Sequence, residues 1–212
     1  HWQHLDASDL PRTEVLRHVL EYSLLAAHRH VFGVFFWFVA LSAMGLGPAG
    51  AVLYRMAEFG SRYWSYKSQV TGAATHDRLM NLSLKLFTWL DHVPSRMTAF
   101  GFAVVGNFED AVDAWRRHAV LWVRPNEGTI LSAASGALGV RLGGQAAPSA
   151  DGRDVSRTLS QGDGSDVIDA EGSTTGAPPE MAHLRSVVGL IWRSVVLWML
   201  LLALLSLANL IG

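Results

Sequence analysis

The feature that most constrains this chain is a charge-free stretch between Arg29 and Arg55, rich in Phe, Val, Leu and Gly. A helix rises about 1.5 Å per residue, so a stretch of this length can cross a bilayer. Aromatic side chains at its start and Tyr54 beside Arg55 at its end are typical of a membrane interface. Gly47 and Pro48 interrupt the stretch, and a buried helical hairpin is therefore the alternative to a single crossing.

A second apolar segment, residues 194–211, consists almost entirely of Leu, Val, Ala, Trp and Met. It predicts a transmembrane helix. Arg185 and Arg193 precede it and no cation follows in the chain, so its N-terminal side is expected in the cytoplasm and Gly212 outside. These two segments predict an all-α, helical integral membrane protein. We expect it to be multi-pass in the bacterial inner (cytoplasmic) membrane, with the lipid bilayer as its main partner.

Composition excludes several classes of function. Of the 212 residues 50% are hydrophobic, and the formal net charge is -1. A general nucleic-acid-binding protein would carry a basic surplus, so no nucleic-acid partner is expected. The chain has no cysteine and therefore no disulfide framework, thiolate zinc site or cysteine nucleophile. Residue 1 is His and no signal peptide follows it, so we expect that the natural start lies upstream.

Helical periodicity extends beyond the two apolar segments. Apolar residues recur at helical spacing in residues 11–27, 75–90 and 108–118. Residues 55–67 mix cations with aromatic side chains, which predicts either a helix along the lipid headgroups or a solvated basic helix face. The turn formers at 91–94 are expected to end one helix, and residues 97–106 to form a short re-entrant or buried segment.

Residues 145–179 differ from the rest of the chain, because they are mainly Gly, Ser, Ala, Thr and Asp and are acidic overall. Such a composition does not offset the entropy lost on ordering, which predicts a disordered loop that a protease cuts first. The chain is therefore divided into a helical membrane region at 1–144, the acidic loop at 145–179 and a C-terminal transmembrane helix at 180–212. The helices outside the bilayer are expected to form a cytoplasmic helical region.

Metal and nucleotide motifs are weak in this sequence. His28 and His30 do not share a helix face, and Arg29 between them opposes a metal cation. His18 and Glu21 have the spacing of half a carboxylate-bridged metal site, without a second such pair. The sequence contains neither a Gly-x-x-x-x-Gly-Lys loop nor a Gly-x-Ser-x-Gly elbow. Neither a metal nor a cofactor is expected.

Two polar constellations remain. One is the proline-containing segment from Asp91 to Arg96, which lies beside an apolar segment. The other is Asn126-x-Gly128, followed by the glycine-rich residues 135–144. Glycines at this density allow the backbone to approach a ligand closely, or alternatively allow tight packing between helices.

These elements resemble motifs of the CobD/CbiB family of cobalamin-biosynthesis membrane proteins and of its AmpE branch. The resembling elements are Phe36-Trp37, Gly47-Pro48-Ala49-Gly50-Ala51, Tyr54-Arg55, Asp91 with Pro94 and Arg96, Asn126-x-Gly128, and residues 136–144. The last of these is the most specific, and together they cover residues 16–144. The resemblance implies a helical membrane protein. In the enzyme branch it also implies an ATP-linked synthase that joins an aminopropanol unit to adenosylcobyric acid.

The chain departs from the enzyme branch at several polar positions. It keeps Glu21 of a Glu-x-x-x-Glu-Asn element but has Leu25, Ala26 and Arg29 where further polar groups are expected, and Ser61 where an Asp is expected. Losing these groups together is hard to reconcile with a metal–nucleotide amide ligase. We therefore predict a non-enzymatic AmpE-like regulatory or sensory protein, linked to β-lactamase induction or cell-wall signalling. The alternative is an adenosylcobinamide (phosphate) synthase.

The retained motifs predict a cytoplasm-facing pocket for a small anionic ligand. A guanidinium binds carboxylate or phosphate through paired hydrogen bonds, so Arg96 and Arg141 are expected to converge there. Alternatively, Arg96 pairs with Asp91 and only stabilises the turn at Pro94. The expected binding residues are Asp91, Arg96, Asn126, Gly128, Gly136, Gly139, Arg141, Gly143 and Gly144. No catalytic residue is assigned, and a homo-oligomer is a further expectation.

Overall fold

The computed structural model describes residues 12–71, 74–144 and 173–211. Within these residues the fold is all-α, as the periodicity predicts. The helices are α1 (Arg12–Ala27), α2 (Gly33–Ala43), α3 (Ala49–Thr71), α4 (Ala74–Val105), α5 (Phe108–His118), α6 (Pro125–Leu138) and α7 (Met181–Ile211). A π-helical turn, His28–Phe32, joins α1 to α2, and a short 3-10 turn, Ala119–Leu121, follows α5.

The hydrophobic core surrounds α6, which packs against α4 and α5 and is covered by α1 and α7. Ile130 and Leu131 of α6 are fully buried beside Leu24 of α1, Phe102 of α4 and Leu190 of α7. Burying a side chain of this size stabilises a fold by roughly 1.5–3 kcal/mol. Because α6 lies at the centre, its N-terminus is held in a defined position inside the helix bundle.

The stretch between Arg29 and Arg55 forms a helical hairpin, so the prediction of a single membrane crossing at residues 31–55 is wrong. Helix α2 ends at Ala43, and the chain turns back through residues 44–48 into α3. Gly45 and Gly47 adopt positive φ in this turn, and Pro48 follows directly. A hairpin was the alternative that Gly47 and Pro48 suggested, although the turn is exposed rather than buried.

Helix α4 continues through Pro94, so the prediction that residues 91–94 end a helix is also wrong. Proline has no N–H and leaves the carbonyl four residues earlier without its helical donor. That carbonyl belongs to Leu90, and the indole N–H of Trp37 donates to it over 3.2 Å. Residues 97–105 are consequently the last part of α4, and residues 97–106 do not form a separate re-entrant segment.

We expect Trp37→Phe to destabilise the protein by about 1 kcal/mol, because the Leu90 carbonyl loses its donor. Pro94→Ala restores a backbone N–H to that carbonyl, so Trp37→Phe should cost less in the Pro94→Ala background. A double-mutant cycle of thermal unfolding in detergent measures this coupling. Strictly additive effects of the two substitutions would show that the Trp37 indole does not replace the missing backbone donor to the Leu90 carbonyl.

The predicted acidic loop is described only in part, since residues 145–172 lie outside the described residues. Residues 173–179 fall within the predicted loop but make specific contacts. Gly143 pairs with Ser173 and Val140 with Ala177 in isolated β-bridges. Thr174 is buried, and its hydroxyl lies 2.7 Å from the Ser135 hydroxyl. The glycine-rich segment after α6 is thereby joined to the chain that leads into α7.

Two helical stretches in the described residues are long and apolar enough to cross a membrane. They are Arg12–Ala43, which comprises α1, the π-helical turn and α2, and Met181–Ala208 within α7. The second confirms the predicted C-terminal apolar helix, which begins at Met181. The architecture is therefore an all-α protein with two helices of membrane-spanning length.

Candidate functional site

A cavity of about 360 Å³ lies where four parts of the bundle meet. These parts are the end of α1 with its π-helical turn, the middle of α3, the middle of α4, and the N-terminus of α6. The π-helical turn places both His28 and Arg29 on the cavity wall, and such turns are frequent at functional sites. The charged and polar residues lining the cavity are His28, Arg29, Glu58, Ser61, Arg62, Ser65, Thr88, Asp91, Arg124, Asn126 and Glu127.

Asp91 is the centre of a buried hydrogen-bond network on the cavity wall. Its Oδ1 accepts from His28 Nε2 at 2.8 Å and from the Tyr54 hydroxyl at 2.7 Å. Its Oδ2 accepts from Asn126 Nδ2 at 3.3 Å. These contacts join the π-helical turn, α3, α4 and α6 through one carboxylate, so Asp91 links the elements that form the cavity.

The protonation of this network follows from its partners. A carboxylate only accepts hydrogen bonds, so His28 carries its proton on Nε2. In the neutral imidazole, Thr98 then donates its hydroxyl hydrogen to Nδ1 over 2.9 Å. Burial, and after it the Asp91 carboxylate, raise the pKa of the Tyr54 phenol. Tyr54 therefore remains a protonated donor to Asp91.

Glu127 forms a second polar group at the N-terminus of α6. Its Oε1 accepts from Arg29 at 2.7 Å and from Arg124 at 3.1 Å. Glu127 Oε2 and the neighbouring Asn126 Oδ1 are buried and have no hydrogen-bond partner among the described residues. Buried acceptors without a donor are costly, by about 1–3 kcal/mol each. These two oxygens are therefore suited to a ligand that brings N–H or O–H donors.

Glu58 of α3 provides a third carboxylate. It is buried and pairs with Arg55 at 2.6 Å and with Arg62. Ser61 and Ser65, on the same helix, satisfy their hydroxyls on backbone carbonyls of α3. The cavity wall thus carries three guanidinium groups and three carboxylates, with ion pairs that keep its net charge near zero.

The structure brings only part of the predicted binding set together. Asp91 and Asn126 line the cavity, whereas Arg96 and Arg141 do not. Arg96 binds the ring nitrogen and the carbonyl of His92, one turn earlier on the outer face of α4. The pairing of Arg96 with Asp91, considered as an alternative, is not present either. Arg141 is exposed beyond the end of α6, so the prediction of one pocket shared by Arg96 and Arg141 is not supported.

The predicted glycines have packing and turn roles. A Cβ added to Gly128 would lie 2.6 Å from Trp122, and one added to Gly136 would collide with the Asp110 carbonyl of α5. This is the close helix packing that the glycine density suggested as an alternative. Gly139 adopts a left-handed conformation at the end of α6, as is common after helices.

Gly143 and Gly144 also have positive φ and contact α1 instead of the cavity. The Gly143 N–H donates to Glu21 Oε1 at 2.6 Å. Arg17 donates to the carbonyls of Gly143 and Gly144 at 2.7 and 2.9 Å. Glu21 is thus used to hold the glycine-rich segment, and the pairing of Glu21 with His18 as half a metal site has no second half beside it.

Sequence reasoning missed most of the cavity. Tyr54 belonged to a resembling motif without a role, His28 was weighed only as a metal ligand, and Glu127 occupies the unspecified position of Asn126-x-Gly128. A usable signal lay in the departures from the enzyme branch. Leu25, Arg29 and Ser61 all line the cavity. Three of the four positions that we interpreted as departures therefore lie at one site, together with Asp91 and Asn126 of the resembling motifs.

Within the described ranges, no three His, Asp or Glu side chains are placed to hold a metal ion. The three carboxylates of the cavity are each engaged by Arg, His, Tyr or Asn side chains. The absence of a metal and of a cofactor stays a prediction for the chain as a whole.

Comparison with known proteins finds relatives that are named for cobalamin biosynthesis. The chain is 30% identical over 198 residues to "Cobalamin biosynthesis protein CobD" of Stutzerimonas stutzeri, covering 93% of this chain and 57% of that protein. It is 34% identical over 146 residues to the protein of the same name from Chromobacterium violaceum, covering 66% of this chain and 42% of that protein. The chain thus spans about half the length of these curated relatives. No solved structure matches it.

These names contradict the predicted AmpE-like regulatory function and favour its alternative in cobalamin biosynthesis. The error lay in the weight given to missing polar groups. Leu25 and Ser61 stand where the resemblance led us to expect polar groups, and the folded chain brings Glu58 and Glu127 to the same cavity.

The family assignment rests on a match to a family model. The family model described as "CobD/Cbib protein" matches residues 4–170, which is most of the chain. That range contains every motif of the resemblance and every residue that lines the cavity. The chain therefore belongs to the CobD/CbiB family.

Proposed function

We propose that this chain acts in cobalamin biosynthesis as a membrane-associated adenosylcobinamide (phosphate) synthase, which joins an aminopropanol unit to adenosylcobyric acid by an amide bond. The names of the two relatives support this assignment. The observation that carries it is the convergence of Asp91 and Asn126, which belong to the resembling motifs, with Arg29 and Ser61 on the wall of one cavity.

The volume of the cavity is sufficient for the two groups that react. Small-molecule sites measure roughly 300–1,000 Å³, and this cavity of about 360 Å³ lies near the lower end. It suits a short amino alcohol together with the carboxyl-bearing arm of the corrinoid. The corrin ring itself would remain outside, against the mouth of the cavity.

The charges of the wall suit both reacting groups. In this reaction ATP activates the carboxylate by transferring a phosphoryl group to it, the ammonium loses a proton, and the amine then displaces phosphate to form the amide. Arg29, Arg62 and Arg124 line the cavity and can bind carboxylate or phosphoryl oxygens through paired hydrogen bonds. Glu127 Oε2 and Asn126 Oδ1 lack donors and can accept hydrogen bonds from the ammonium group.

Arg29 and Glu127 neutralise each other on the cavity wall. Arg29 lies in the π-helical turn, and its guanidinium donates to Glu127 Oε1 of α6 at 2.7 Å. This ion pair keeps the charge of the wall balanced and leaves Glu127 Oε2 for the substrate amine.

Membrane attachment is part of the proposal. Helix α7 has the length and composition to cross a bilayer, and the cations before it favour a cytoplasmic location of the other helices. We place the protein in the bacterial cytoplasmic membrane. The multi-pass topology expected from the sequence depends on whether residues 12–43 also cross.

Membranes containing the protein should form the cobinamide product from adenosylcobyric acid, aminopropanol or its phosphate, and ATP. Glu127→Gln should lower kcat/KM for the amine by about tenfold or more, mainly through KM, because a charge-assisted hydrogen bond is worth roughly 1.5–3 kcal/mol. Product formation is measured chromatographically as the amine concentration is varied.

The matched control is Asp113→Asn, an exposed carboxylate on α5 that pairs only with Arg117 in the described contacts. It should leave kcat/KM unchanged. Failure of the wild-type membranes to form product with a control synthase active in parallel would overturn the proposed function. If Glu127→Gln lowers thermal stability while KM for the amine stays constant, the amine-binding role of Glu127 is wrong.

A further inference from the structure

The outer surface of the α2–α3 hairpin, residues 31–53, is almost entirely apolar. No charged side chain occurs from residue 31 to residue 53. Met44 at the turn is 74% exposed and Leu46 is 55% exposed. The exposed residues of this hairpin are Val31, Phe38, Ala43, Met44, Gly45, Leu46, Pro48, Ala49, Val52 and Leu53. Exposed apolar surfaces of this extent are typical of sites that contact a membrane or another protein.

Several polar groups at the turn of the hairpin are paired within the hairpin. Ser42 carries its only side-chain hydroxyl, which donates to the Gly47 carbonyl at 3.0 Å. Within the turn, the N–H groups of Met44 and Leu46 donate to the Leu41 carbonyl at 3.2 and 2.9 Å, and that of Gly45 to the Ser42 carbonyl. A turn in lipid must pair its backbone in this way, because hydrocarbon supplies no hydrogen bonds.

The charge-free part of each arm is too short to cross a bilayer. Residues 31–43 form an arm of about 20 Å at 1.5 Å per residue, and the hydrocarbon core is about 30 Å thick. The returning arm reaches Arg55 within seven residues of Pro48. A full crossing would draw Arg29, Arg55 and Glu58 into hydrocarbon, at about 2.5–3.5 kcal/mol for each charge near the centre.

The charged residues at the base of the hairpin and on α7 lie at a similar depth relative to a membrane. His30 Nδ1 and Arg55 lie 2.7 Å apart where the two arms enter the bundle. Helix α7 runs beside α2, since Phe35 and Trp198 contact edge to face at 6.0 Å. On α7 the last cation is Arg193, and the apolar run begins immediately after it. The apolar part of the hairpin and the apolar part of α7 thus begin at the same position along the membrane normal.

We propose that the α2–α3 hairpin is a re-entrant membrane element, which enters the bilayer from the side of the cavity and turns back within it. Its partner is the acyl-chain region of the lipid. Helix α7 is then the full crossing in the described chain, and the cavity lies at the membrane surface directly above the hairpin. This inference rests on the proposed membrane location, but it is independent of the reaction.

The absence of cysteine allows the hairpin to be located by single-cysteine labelling. Three variants are used in membrane vesicles of both orientations: Met44→Cys at the turn, Asp113→Cys on exposed α5, and Gly212→Cys at the end of the chain. With a membrane-impermeant maleimide, Asp113→Cys should react only from the cytoplasmic face and Gly212→Cys only from the opposite face. Met44→Cys should react from neither face until detergent is added.

A depth measurement distinguishes lipid from a protein partner at the turn. An NBD fluorophore on Met44→Cys should be quenched more by lipid carrying a nitroxide at acyl position 12 than at position 5. The matched control is Phe59→Cys, an exposed site further along α3 beyond Arg55, where the order should be reversed or quenching lost.

Reaction of Met44→Cys from the same face as Gly212→Cys would overturn the proposal in favour of a complete crossing. Protection of Met44→Cys without nitroxide quenching would overturn it in favour of a protein-covered turn. Labelling of Asp113→Cys and Gly212→Cys from one common face, or extraction of the protein by carbonate, would instead contradict the proposed membrane location. None of these outcomes depends on whether cobinamide is formed.

Discussion

Replacing Asp91 by Ala should lower the apparent melting temperature of the protein in detergent by roughly 10 °C or more. The substitution removes the acceptor for three buried donors, on His28, Tyr54 and Asn126. Leaving buried polar groups unpaired costs about 1–3 kcal/mol for each, and breaking a buried charged network about 3–5 kcal/mol. Because each kcal/mol shifts the midpoint by about 2–4 °C in a chain of this size, the shift should be large.

Two controls separate this effect from general damage to α4. His92→Ala alters the adjacent, exposed position and should move the midpoint by little. Asp91→Asn keeps an oxygen for His28 and Tyr54 but presents an amide to Asn126, so its midpoint should lie between those of the wild type and Asp91→Ala. If Asp91→Ala and His92→Ala are equally mild, Asp91 does not hold the cavity together.

Gly136→Ala should destabilise the protein by about 2 kcal/mol or more, although Ala is the better helix former. A Cβ at this position collides with the Asp110 carbonyl and comes within 2.7 Å of Ala111 Cα. Both contacts are with backbone, so relief requires α5 and α6 to separate. Overpacking of this kind typically costs about 1–3 kcal/mol. Thermal or denaturant unfolding in detergent measures the change.

The same substitution at Gly60 is the matched control. Gly60 lies inside α3, and nothing within 4 Å would meet an added Cβ. Gly60→Ala should therefore stabilise the protein by up to about 1 kcal/mol through helix propensity. Opposite signs at the two positions are expected. If Gly136→Ala is also stabilising, the close contact between α5 and α6 does not exist in solution.

The sequence alone determined the helical class and the position of several helices. Apolar periodicity is a local property, and it placed α5 at residues 108–118 correctly. The apolar segment at 194–211 was equally clear, because an uninterrupted run of such side chains has few other folded states. The family resemblance was also readable, since glycine and proline motifs reflect backbone geometry that other residues cannot adopt.

Tertiary structure decided what local rules could not. Pro94 ends a helix by local rules, yet α4 continues because Trp37, far away in sequence, donates to the freed Leu90 carbonyl. Arg96 and Arg141 share a favourable chemistry, yet neither lines the cavity. The sequence did not indicate Glu127 as a site residue, and only the fold shows that it lies 2.7 Å from Arg29 on the cavity wall.

The site was therefore predictable only in part, at Asp91 and Asn126. A binding site depends on which side chains meet across 30 to 100 residues of chain, and the crossing of helices sets those meetings. The missing acids that argued against a synthase were judged one position at a time. In the folded chain, carboxylates from α3 and α6 occupy the same cavity, because charge at a site is a property of its surroundings and not of any one motif.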